Sequence, residues 1–135
     1  PANDTLESLA AYLREYTLKF VEPFSLETFF DYPEHFAAIQ LSEEKRRNVF
    51  LTVKESLHNI ARHAHATRID ISISEEPGVF TLLIRDNGQG FDTANIRVFG
   101  NGLKNMESRI SQAGGIYQIS SAPGKGTLTS IRMPV

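Results

Sequence analysis

Four short runs of polar residues and glycines hold the side chains best suited to chemistry. Glu55, Asn59, Arg62 and His63 are spaced i, i+4, i+7 and i+8, which on a helix lines them along one face. A carboxylate and an amide oxygen one turn apart are hard oxygen donors, the kind Mg²⁺ accepts while it keeps several waters and shares substrate phosphates. An arginine and a histidine one turn further on are placed to meet phosphate oxygens, the arginine through its planar fork. The bland alternative is a solvated polar face. Asp86-Asn87-Gly88-Gln89-Gly90 offers a carboxylate able to accept from an exocyclic amine, and two glycines that let backbone approach a ligand closely; it also reads as an ordinary turn. Gly100-Asn101-Gly102-Leu103 opens a helix, where free N–H groups favour an anion. Gly124-Lys125-Gly126-Thr127 is, by itself, a flexible turn leading into a strand.

The elements that must position these runs follow from periodicity. Leu6, Leu9, Ala10, Leu13, Thr17 and Phe20 recur at helical spacing, with Asn3 or Asp4 as N-cap and Pro23 as a stop, giving a first helix over Thr5–Phe20. Alternation of Phe24, Leu26, Thr28 and Phe30 predicts a strand over Phe24–Phe30. Ser42 caps a second helix, Glu43–Ala66, whose stripe of Val49, Phe50, Val53, Leu57, Ile60 and Ala64 faces a core. Ile69, Ile71 and Ile73, then Phe80, Leu82 and Ile84, alternate on either side of Glu76-Pro77-Gly78 and predict a hairpin with one buried face. From Asp86 to Gly102 roughly sixteen residues carry no period, a length that marks binding loops and lids in compact domains. A third helix from Leu103 to Ala113, closed by Gly114-Gly115, and two strands, Ile116–Ser121 and Thr127–Met133, complete the order αβαββαββ. The expected architecture is a two-layer α/β sandwich with its helices on one face.

Composition narrows the function classes. The chain's 135 residues suit one domain, and 41% apolar with 22% charged residues is ordinary for a globular fold. A net charge of −2 gives no footprint for nucleic acid, so no direct nucleic-acid contact is expected. The absence of cysteine removes disulfides, thiolate metal sites and cysteine nucleophiles, and is compatible with a reducing cytoplasm. No apolar run reaches the ~20 residues of a membrane helix, so no membrane contact by this domain is expected.

Taken together and in order, the four runs resemble the signature of the ATP-binding catalytic domain of two-component sensor histidine kinases, in the nitrate-sensor and thermosensor subfamily. Lys54 to Ala64 resembles the asparagine box, Asp86 to Phe91 the first glycine box, Gly100 to Met106 the second, and Gly124 to Thr127 the terminal glycine-threonine box. The resemblance covers Leu41 to Val135 and implies the Bergerat fold of the gyrase, mismatch-repair and heat-shock ATPases, a mixed sheet covered by helices on one face. It implies ATP and Mg²⁺ as cofactors. Asn59 would ligate Mg²⁺, Glu55 would position metal or water, and Arg62 and His63 would approach phosphates or sugar. Asp86 would accept from the adenine amine, and Gly88 and Gly90 would let the first hinge of the lid pass under the base. Gly100 and Gly102 would cradle phosphates at the start of the third helix, with Leu103 also in the ATP site, and Thr127 would help hold adenine through a water shared with Asp86. A short lid between Phe91 and Gly100 would close over the triphosphate.

One part of the family pattern is missing. His35, His58, His63 and His65 all fall in a loop, in the asparagine box or at a helix end, and none heads a helix with an acidic neighbour. The phosphoacceptor histidine and dimerisation helices are therefore expected upstream of Pro1, in a homodimeric parent that can be membrane-anchored, with a helix-turn-helix response regulator as partner. The expectation is a single ATP-binding domain, residues 1–135, that does not phosphorylate itself. Its rivals are an anti-sigma-factor serine kinase and a nucleotide-binding switch without turnover.

Overall fold

A computed structural model describes residues 4–94 and 100–135. Helix α1 spans Leu6–Val21, and its N-cap is Thr5, whose hydroxyl oxygen accepts the Ser8 N–H at 3.1 Å. The expected caps are thus displaced: Asp4 lies one residue outside the cap and its carboxylate pairs with Arg46 at 3.5 Å, while Asn3 lies outside the described residues. Leu6, Leu9, Ala10 and Leu13 are buried, and so is Thr17, whose hydroxyl donates to the Leu13 carbonyl at 2.7 Å.

After α1 the chain makes a 3₁₀ turn, Glu22–Phe24, and Ser25 turns left-handed at φ 54°. Pro23 suits that turn, and the two features together hold off the strand. Strand β1 therefore begins at Glu27, not Phe24, and covers Glu27–Asp31; Phe24 is exposed. Helix α2, Glu43–Asn59, is capped by Ser42, which accepts from the Lys45 N–H at 3.2 Å. It does not continue as an α-helix to Ala66. At Ile60 it widens into a π turn, Ile60–Ala64, and His65 ends it in the left-handed region at φ 50°.

Strands β2 (Arg68–Glu76) and β3 (Val79–Asp86) form the expected hairpin, turning at Pro77 and Gly78, where Gly78 has φ 78°. Helix α3 covers Gly102–Gln112, and β4 (Ile116–Ser121) and β5 (Thr127–Pro134) form the last hairpin. The sheet order is β1-β2-β3-β5-β4. Among the described residues only β1 and β2 run parallel, so the connection that carries α2 is the crossover between them.

Ile69, Ile71, Ile73, Phe80, Leu82, Ile84, Ile131 and Met133 are buried together with Val49, Val53 and Leu57 of α2 and Met106 and Ile110 of α3. The alternate residues of β2, β3 and β5 are half-buried or exposed. One face of a mixed five-stranded sheet is thus roofed by three helices, in agreement with the two-layer sandwich read from the pattern. Each large apolar side chain so buried contributes about 1.5–3 kcal/mol.

Candidate functional site

A cavity of about 160 Å³ opens where the end of α2, the end of β3 and the β4–β5 hairpin converge, with Asn59, His63, Asp86, Gly90, Met106 and Thr127 among its walls. Strand register explains how residues far apart in sequence meet there. Asp86 is the last residue of β3 and stands directly opposite Thr127, the first of β5. Both therefore point to the helix-covered side at one end of the sheet.

Asp86 is only 4% exposed, and its carboxylate accepts the Gly88 N–H at 2.8 Å and a bond from the Thr127 backbone. Burial pushes its pKa upward, and these two N–H groups pull against that shift. The result is a buried acceptor on a cavity wall that is otherwise largely apolar through Ile60, Phe91, Met106 and Ile119. This arrangement suits a flat apolar ring bearing one hydrogen-bond donor.

Across the cavity, the π turn sets the helix end. Its last carbonyls are taken up by the loop after β3: the Gln89 N–H donates to the Ala64 oxygen at 2.7 Å, and the Gln89 side-chain amide donates to the His63 oxygen. Asn87 fastens the same junction, because its amide oxygen accepts from the Thr67 and Arg68 N–H groups, each at 2.9 Å. A Cβ on Gly88 would lie 2.4 Å from the Ala64 oxygen, and one on Gly90 would lie 2.1 Å from the Ala122 oxygen. Both glycines thus permit close backbone packing around the cavity mouth.

The structure brings some of the candidate residues together and separates others. Asn59 and His63 line the cavity with Asp86, Gly90 and Thr127, whereas Arg62 is exposed and does not line it. Glu55 lies on α2 beside the start of α3, so that a Cβ on Gly102 would come within 3.3 Å of its carboxylate. Gly100 is exposed with φ 57°, Gly102 is half-buried, and Leu103 is buried in the core. The lid expected between Phe91 and Gly100 lies in part outside the described residues, which exclude 95–99.

Two features escape periodicity. The π turn leaves the apolar stripe of α2 intact and so has no signature in it. Ser121 ends β4, and its hydroxyl accepts the Phe91 N–H at 2.9 Å and sits 2.9 Å from the Thr127 hydroxyl. A serine closing a strand before Ala122-Pro123-Gly124 looks like ordinary turn composition.

Residues 44–135 match the family model described as histidine kinase-, DNA gyrase B- and HSP90-like ATPase. The chain belongs to this family. Its domain is an ATP-binding one by that membership, and the mixed sheet under three helices is the family's fold. Among curated relatives, the sensor histidine kinase LiaS of Bacillus subtilis is 30% identical over 70% of this chain and 26% of its own length. DegS of Brevibacillus brevis, a signal transduction histidine-protein kinase/phosphatase, is 31% identical over 87% of this chain and 31% of its own length. The chain thus spans about a third or less of these relatives. Of solved structures, the histidine kinase domain of the Erythrobacter litoralis blue-light activated kinase superposes with a TM-score of 0.76 at 19% identity, over 93% of this chain and 60% of that one. Acinetobacter baumannii AdeS gives 0.74 at 19% identity, over 97% of this chain and 65% of that one. These two likenesses bear on the fold alone.

Proposed function

We propose that this ATPase-family chain is the catalytic domain of a sensor histidine kinase, binding ATP with Mg²⁺ so that the γ-phosphoryl group passes to a histidine on dimerisation helices of its parent. The observation that carries the reading is the buried Asp86 carboxylate on the wall of a largely apolar cavity that Asn59 and His63 also line. The donor set fits the proposed ligands: Asn59 supplies an amide oxygen at the cavity and Glu55 a carboxylate one helical turn earlier, both acceptable to Mg²⁺. Bound ATP supplies the phosphoryl group. The chain's part is to seat the base against Asp86 and Thr127 and orient the phosphates toward Asn59, with His63, Arg62 and the start of α3 at Gly100 and Gly102 meeting their charge. Such catalysis rests on positioning and charge neutralisation more than on a protein nucleophile.

The relatives named as sensor histidine kinases favour this reading over a serine kinase or a switch without turnover. No described helix is long and apolar enough to cross a membrane. The phosphate then passes to a response regulator with helix-turn-helix output, from a homodimeric parent whose catalytic domain faces the cytoplasm.

Calorimetric titration of the chain with ATP, with and without Mg²⁺, is expected to show binding that Asn59→Ala deprives of its Mg²⁺ dependence without unfolding the domain. Incubation with γ-labelled ATP is expected to leave this chain unlabelled and to label a dimerisation hairpin added in trans. Unchanged ATP affinity in Asn59→Ala would sink the metal assignment, and label on one of the four histidines here would overturn the division of labour.

A further inference from the structure

Asp86, Thr127 and Ser121 occupy one register row across three strands. Asp86 faces Thr127 across the β3–β5 pair, and Thr127 faces Ser121 across the β5–β4 pair. Ser121 lies outside the cavity wall, yet its hydroxyl is the hub of the row. It accepts the Phe91 N–H at 2.9 Å, lies 2.8 Å from the Gly126 carbonyl oxygen and lies 2.9 Å from Thr127 Oγ1.

Donor arithmetic fixes the direction of these bonds. A serine hydroxyl has one proton and two lone pairs, and a carbonyl can only accept. Gly126 is buried, so its carbonyl needs a donor, and the Ser121 proton goes there. The two lone pairs of Ser121 are then filled by the Phe91 N–H and by the hydroxyl proton of Thr127. Thr127 has no proton left. Toward the cavity it presents lone pairs only, beside the carboxylate of Asp86, which is also an acceptor.

We propose that Ser121 is a positioning residue that sets the hydrogen-bond polarity of the cavity: by holding the Thr127 proton, it leaves two adjacent acceptors that select a base with an exocyclic amine and reject one with a carbonyl there. The proposal rests on the adenine-nucleotide reading of the cavity. Without Ser121 the Thr127 hydroxyl is free to rotate and donate, so a carbonyl-bearing base gains a partner that the native wall denies it.

The test compares ATP with inosine triphosphate, in which a carbonyl replaces the amine and N1 carries a proton, by calorimetric titration of the chain. The N1 difference is common to wild type and variants, so the change in their ratio reads the wall. The wild type is expected to prefer ATP. Ser121→Ala is expected to bind inosine triphosphate more tightly than the wild type does and to narrow the preference by roughly fivefold, the scale of one hydrogen bond. Ser121→Thr, which keeps the hydroxyl, is expected to retain the native ratio. In a Thr127→Val background, Ser121→Ala is expected to change the ratio no further, as coupled residues require. If Ser121→Ala fails to fold, Ser121→Cys, of similar volume and with a weak donor, gives the same comparison.

An unchanged ratio in the Ser121 variant, an equal weakening of both nucleotides, or the same loss in Ser121→Thr would overturn the proposal. So would a wild type that binds both nucleotides equally, although the nucleotide reading would survive that result. A wild type that binds neither overturns both.

Discussion

Asp86 is the residue whose chemistry depends most on its surroundings. Its folded-state pKa is raised by burial, against the pull of the Gly88 and Thr127 N–H groups. Folding therefore favours its neutral form. Its contribution to stability is fully present below the unfolded-state pKa and is lost as pH rises through the higher folded value. A ligand amine works the other way, since it seeks the ionised carboxylate. ATP affinity is accordingly expected to weaken as pH falls through the Asp86 titration, beyond whatever the phosphates contribute. Affinity measured against pH for the wild type and for Asp86→Asn separates the two, because the variant is expected to bind more weakly at neutral pH and to lack the Asp86 component. Parallel pH profiles for both proteins would remove Asp86 from the site.

At the scale of elements, the junction between the π turn and the loop after β3 is held by backbone contact. A methyl on Gly88 would meet the Ala64 oxygen and Cβ at 2.4 and 2.6 Å. Gly88→Ala is expected to cost about 1–3 kcal/mol, as overpacking does, read as a lower urea midpoint. Nucleotide affinity should fall with it, since Ala64 and Asp86 border the same cavity. Most elements around this junction were legible in sequence. Ile69, Ile71 and Ile73 alternate against Phe80, Leu82 and Ile84, and the strands fall where those residues place them. The errors lie at ends, where one residue's backbone decides. Thr5 caps α1 because its own extended conformation aims its hydroxyl at the Ser8 N–H, and neighbouring Asp4 looks equally suitable by type. Ser25 turns left-handed, a conformation that a serine does not advertise, and this delays β1. In the site, residue type and spacing left each run open to a bland reading. It was the family resemblance of the four runs taken in order that joined Asn59, His63, Asp86, Gly90 and Thr127, and these line one cavity. Ser121 was missed because its role depends on pairing across strands, which no local pattern records.

For the molecule as a whole, the roofed face of the sheet and the cavity share one core, so the site cannot be assembled from part of the chain. Asn59, Asp86, Met106 and Thr127 come from α2, β3, α3 and β5. The sheet order puts β5 between β3 and β4, so a strand made late is an interior one. This bears on the protein's birth on the ribosome. As translation proceeds, the hairpin of β2 and β3 can form behind its turn, but β4 has no neighbour until β5 has left the exit tunnel, and Asp86 has no Thr127 to face. Nascent chains stalled with β5 still inside the tunnel are expected to resist protease over β2 and β3 yet fail to retain ATP. Chains stalled after its release should capture the nucleotide, in a single step rather than by degrees.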